Sequence, residues 1–101
     1  MTHGPRVWLV CYDVADDKRL RRVYRTMRGY GDHLQYSVFR CQLSDLQLAR
    51  LKDKLVQTIK PSEDQVMFVP LGAPESRAAQ GMFALGLPLT HPERVVRVIG
   101  P

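Results

Sequence analysis

The residues best placed to do chemistry are the aspartates of Tyr12-Asp13-Val14-Ala15-Asp16-Asp17, which follow the apolar run that starts at Val7. A carboxylate at the C-terminal end of a central strand lies where open α/β sheets bind ligands. Its oxygens suit a hard cation such as Mg²⁺, which takes one or two carboxylates and keeps several waters. Asp13 is therefore the candidate metal-ligating and catalytic residue, the alternative being that it too is a plain loop or cap carboxylate. A lone aspartate makes a poor Mg²⁺ site, and two copies facing each other across a dimer axis would make a better one. Asp16 and Asp17 stand where a helix begins, so their simpler role is capping.

The second feature is electrostatic. Lys18, Arg19, Arg21, Arg22, Arg25 and Arg28 place six cations within eleven residues. They alternate with Leu20, Val23, Tyr24 and Met27, whose i, i+3, i+4, i+7 spacing makes the apolar face of a helix. No Glu stands four residues away to pair with these cations along the helix. A one-sided basic helix fits a footprint for phosphates, the alternative being a plain solvated face.

Other motifs carry less. Arg28-Gly29-Tyr30-Gly31 opens like an RNA-recognition signature, but Asp32 and His33 follow where Phe and Val belong. Ser37 has no histidine and aspartate at a spacing that marks a triad. The histidines are His3, His33 and His91, read as lying in ends or loops. His33 is either a phosphate contact or, more simply, a surface histidine. Cys11 and Cys41 have no zinc or redox spacing and read as buried free thiols.

The elements that must hold these groups follow from pattern. Arg6 to Asp13 is apolar at both alternating positions, the mark of a central strand. Asp16 caps a helix from Asp17 to Tyr30 that Gly29 and Gly31 close. His33 to Leu43 is extended, as one bent strand or two short ones. Ser44 and Gln47 have capping-box spacing ahead of a helix to Ile59, with Leu48, Leu51, Leu55 and Ile59 inward and Pro61 as its stop. Gln65 to Leu71 is a strand and Gly72 to Pro74 a turn. Glu75 to Gly86 is ambiguous, with helix formers at 78–80 and a possible strand from Met82 to Leu85. Pro88 and Pro92 mark a loop, and Arg94 to Ile99 is a last strand. That order gives an α+β fold, a βαββαβ ferredoxin-like sandwich with an extra C-terminal strand.

The 101 residues make one domain, with a core at about 1–86 and a tail at about 87–101. The formal charge of +5 favours an anionic partner. No apolar run is long enough to span a bilayer and no signal segment is evident, so no membrane role and a cytoplasmic location are expected.

Taken together, Y-D-V-A-D-D after an apolar strand, the Arg-rich helix and R-G-Y-G-D-H-L-Q-Y-S-V-F-R-C resemble the N-terminal half of the CRISPR-associated protein family two. Q-V-M-F-V-P-L-G and A-L-G-L-P-L-T-H-P-E-R-V-V-R-V-I resemble its second half. The resemblance implies a homodimer in which the tail packs on the partner subunit and Arg94 to Ile99 completes the partner's sheet. It implies that Asp13 from each subunit holds Mg²⁺ or another divalent cation such as Mn²⁺. It further implies a metal-dependent endonuclease of single-stranded RNA or double-stranded DNA, acting in spacer acquisition with the CRISPR integrase; with one metal and no evident general base, weak turnover is expected. Tyr12, Arg19, Arg21, Arg22, Arg25, His33 and Phe39 are the expected nucleic-acid contacts, with His33 standing where relatives often carry Arg. The rival expectation is a non-catalytic dimeric DNA-binding scaffold bridging integrase subunits, with Asp13 idle.

Overall fold

The computed structural model describes residues 4–89. Its elements run β1 (Arg6–Asp13), α1 (Asp17–Arg28), β2 (Gly31–Gln35), β3 (Val38–Leu43), α2 (Asp45–Thr58), β4 (Gln65–Gly72) and a single-turn α3 (Arg77–Gln80). The first six elements are the expected βαββαβ order. They form one four-stranded sheet in the order β2-β3-β1-β4, antiparallel at every pairing. β1 is central because both of its faces carry apolar residues.

Even-numbered β1 residues meet the helices and odd-numbered ones face away, since strand side chains alternate. Val10 and Tyr12 join Phe39, Cys41 and Leu43 of β3 and Val23, Met27, Leu51 and Leu55 of the helices in one buried cluster. Phe39 fills its centre, wholly buried. Trp8 packs edge-on against Phe68 of β4, with ring centroids 6.4 Å apart. The two helices cover one face only. Part of the other is covered by the chain after α3: Leu9, Leu34, Gln35, Val38, Gly81, Met82, Phe83 and Leu89 line a cleft of about 310 Å³ between that chain and the sheet.

Local chemistry sets the boundaries. Asp16 caps α1 by accepting from the Arg19 amide. The Ser44–Gln47 capping box of α2 is fully formed, with bonds of 2.8 and 3.1 Å. The extended stretch resolves into two strands, because Tyr36 and Ser37 turn the chain between them. Two expectations change. Gly31 does not close α1; it opens β2, where a Cβ would come within 2.5 Å of the Arg40 carbonyl and the Cys41 sulfur. The stretch Met82 to Leu85 forms no strand. The expected strand Arg94 to Ile99, His3, His91 and Pro92 lie outside the described residues.

Candidate metal and nucleic-acid site

Asp13 is the last residue of β1, and its side chain is exposed. Across the sheet it faces Gln65, the first residue of β4. On its other flank the Tyr12 amide donates to the Ser37 carbonyl at 3.1 Å, which draws the β2–β3 turn against the end of β1. Alternation puts Asp13 on the sheet face away from the helices, with Cys11 two residues before it. No described side chain bonds the Asp13 carboxylate. Among the described residues no three His, Cys, Asp or Glu side chains converge on a metal position. One chain thus offers an open, unpaired oxygen donor, which suits half of a hard-cation site. The cysteines add nothing to it: Cys41 is buried as expected, whereas Cys11, on the face away from the helices, is only half-buried. Burial pushes the Cys11 thiol up, and burial with the nearby Asp32 pushes Cys41 up to about 12.

The aromatic members of the expected site lie elsewhere. Tyr12 is 5% exposed and stacks near Phe39, at 6.3 Å between centroids. Burial, then the Tyr24 and Tyr36 phenols, raise its pKa, so Tyr12 stays a phenol at neutral pH. Phe39 has no exposed surface, so this core residue cannot touch nucleic acid while the chain is folded. His33 is neither in a loop nor on the surface. It sits within β2, 4% exposed, its ring 4.8 Å from Phe39 and 5.4 Å from Tyr24. Its Nε2 lies 3.1 Å from the Tyr36 carbonyl and holds the turn. A histidine packed this way braces the hairpin and has no path to phosphate. An aromatic next to a polar motif can be platform or core, and here the strand register made all three core.

The basic face divides in two. Lys18, Arg21, Arg22, Arg25 and Arg28 are exposed on α1. No described carboxylate pairs with any of them, and Arg28 lies over the Tyr24 ring at 5.9 Å. Arg19 is committed differently: its Nε donates to Asp64 at 2.7 Å and its Nη2 to Glu63 and Asp64 at 3.1 Å each. Its pairing partners come from the loop before β4, which a search for partners along the helix does not reach. Asp64 is the residue that sequence reasoning passed over, since an aspartate before a strand looks like any other loop residue. Asp13 and the free arginines lie on different layers, the open sheet face and the helix layer.

The comparisons with known proteins agree with this architecture. The family described as CRISPR associated protein Cas2 matches residues 6–78. A protein of Thermodesulfovibrio yellowstonii named CRISPR-associated endoribonuclease Cas2 2 is 48% identical over 64 residues, 63% of this chain and 70% of its own length. One of Geobacter sulfurreducens named CRISPR-associated endoribonuclease Cas2 is 33% identical over 70 residues, 69% of this chain and 74% of its own. The crystal structure of Streptococcus pyogenes Cas2 at pH 6.5 superposes with a TM-score of 0.69 at 32% identity, covering 79% of this chain and 99% of that one. A hypothetical protein from Thermus thermophilus superposes with a TM-score of 0.72 at 26% identity, covering 84% and 95%. With its family match, strand order and topology in accord, this chain belongs to the Cas2 family of CRISPR-associated proteins.

Proposed function

We propose that this protein is a CRISPR-associated nuclease that cleaves phosphodiesters of single-stranded RNA or duplex DNA as a homodimer. The observation that carries this reading is Asp13: an exposed, unbonded carboxylate at the end of the central strand, in a family whose matched relatives are named endoribonucleases. Because one chain supplies a single such carboxylate, a divalent cation, Mg²⁺ or Mn²⁺, needs Asp13 from each of two subunits. When bound, that cation neutralises charge on the scissile phosphate and lowers the pKa of an attacking water. The chain's own groups do the remainder. Asp13 holds the cation at the strand end. Tyr12 keeps its proton and is no general base. Arg21, Arg22 and Arg25 supply contacts to the nucleic-acid backbone, which set register without reading sequence. With one metal and no evident base, turnover is slow.

A second reading has its own observation. The free arginines occupy the helix layer, away from Asp13, so duplex can be held without reaching the carboxylate. In this reading the dimer is a scaffold that presents DNA to the CRISPR integrase during spacer acquisition.

One experiment separates the two. Purified protein is given single-stranded RNA and duplex DNA in Mg²⁺ or in EDTA, beside Asp13→Asn. Cleavage that requires the metal and vanishes in the variant is the expected result and names the substrate. Absent cleavage with duplex binding that weakens steeply as salt rises selects the scaffold. Cleavage that survives Asp13→Asn removes Asp13 from the mechanism.

A further inference from the structure

Asp64 is a carboxylate at the edge of the fold with no exposed side-chain surface. Four donors from three parts of the chain converge on it. Oδ1 accepts from the Ala15 amide at 2.9 Å and from Arg19 Nη2 at 3.1 Å. Oδ2 accepts from Arg19 Nε at 2.7 Å and from the Lys60 amide at 2.8 Å. Two bonds to each oxygen saturate the group, and the grip on Arg19 is the bidentate form that fixes geometry as well as charge. Glu63 accepts a second bond from the same Arg19 Nη2 and is itself held by Lys60 Nζ at 3.1 Å. A buried ion pair is weak evidence for added stability, since desolvation offsets its attraction. What a saturated carboxylate does supply is position.

The position in question is that of Asp13. Ala15 lies two residues beyond it, in the short link from β1 to α1. One end of that link is fixed by the sheet ladder and the other by the Asp16 cap, and Asp64 fixes its middle. Asp64 also immediately precedes Gln65, the cross-strand neighbour of Asp13. The same carboxylate thus steadies the chain on two sides of the candidate ligand. Resting on the metal-site reading of Asp13, we propose that Asp64, acting through Ala15 and Arg19, is a positioning residue that holds Asp13 ready for a divalent cation. Arg19 belongs to this latch and not to the phosphate-binding face.

The test uses the full-length protein, wild type beside Asp64→Asn and Arg19→Lys. Arg19→Lys keeps the charge and gives up the fork, so it serves if Asp64→Asn fails to fold. Binding of Mn²⁺ to nucleic-acid-free protein is measured by calorimetry. The Mg²⁺ concentration for half-maximal cleavage, the affinity for duplex and the melting temperature are measured beside it. The expected result is a loss of about tenfold or more in Mn²⁺ affinity, the range seen when groups supporting a metal ligand are removed. The Mg²⁺ requirement should rise in parallel, excess Mg²⁺ should restore cleavage, and duplex affinity should hold. A lower melting temperature with unchanged Mn²⁺ affinity and Mg²⁺ requirement would make Asp64 a staple of the fold and overturn the inference. Wild-type protein that neither binds Mn²⁺ nor cleaves overturns the metal-site reading first, and this inference with it.

Discussion

His33, Phe39 and Tyr12 show how a ring side chain can serve two ends. Each stands beside a polar motif in the sequence, and each is buried in the structure. Their contribution is support: Phe39 fills the core, and His33 holds the Tyr36 carbonyl at the turn. The unbonded His33 Nδ1 and Tyr24 hydroxyl, both buried, are the polar atoms left over from that packing. Asp64 is the opposite case, a loop residue by its neighbours and a saturated carboxylate by its partners. Its bonds from Arg19, with those from the Lys60 and Ala15 amides, outweigh burial and hold its carboxyl well below the usual range. A carboxyl whose pKa is lower in the folded state than the ordinary value of about 3.9 stabilises the fold at higher pH. That contribution is complete above the ordinary value and is lost as pH falls toward the folded one. Urea unfolding of wild type should therefore show stability falling on acidification below about pH 4. In Asp64→Asn the neutral-pH stability should be lower and this acid limb shallower. An acid limb of equal steepness in both proteins would show that other carboxylates carry it.

At the scale of the element, the helix caps were legible because their chemistry is local. The Ser44 box and the Asp16 cap bond residues three apart, so spacing alone reveals them. The Tyr36–Ser37 turn was open in the sequence, because neither residue has the positive-φ preference that marks tight hairpins. It is fixed from outside, by His33 and by the Tyr12 amide. Gly31 was misplaced for a related reason: a glycine after a helix ordinarily closes it, and only the sheet shows the close approach of β3. Gly31→Ala puts a methyl against the Arg40 carbonyl and the Cys41 sulfur. The β2–β3 edge must then yield, at a cost of about 1–3 kcal/mol typical of overpacking. Denaturant unfolding measures it, and a change within error would mean that β2 shifts freely.

Over the described residues the two sheet faces are covered unevenly. Helices cover one face of the sheet, while the other carries Leu9, Cys11, Val38, Met67 and Val69, with Met67 51% exposed. Among the described residues β4 is an edge strand, and such edges invite pairing. Phe83, Leu85 and Leu87 are exposed as well. Apolar surface of this kind marks an interaction site, which accords with the proposed homodimer. Sedimentation should give a dimer, and Met67→Lys should shift it toward monomer with its circular dichroism unchanged. A monomer at every concentration would leave the two-subunit metal site without a basis. Among the described residues no helix is long and apolar enough to cross a membrane.

By itself the sequence determined the places of β1, α1, α2 and β4, the central position of β1, the caps of both long helices and the candidacy of Asp13. Each of these rests on periodicity or on residues close in the chain. The tertiary structure alone decided which polar and aromatic groups are free. Arg19 and Asp64 meet across 45 residues, and Tyr24, His33 and Phe39 pack from three different elements. Exposure is a property of what lies opposite a side chain, and what lies opposite is set by how the sheet and helices come together. For that reason the arginines divide into Arg19, paired with Glu63 and Asp64, and an exposed set on α1 only once the chain is folded.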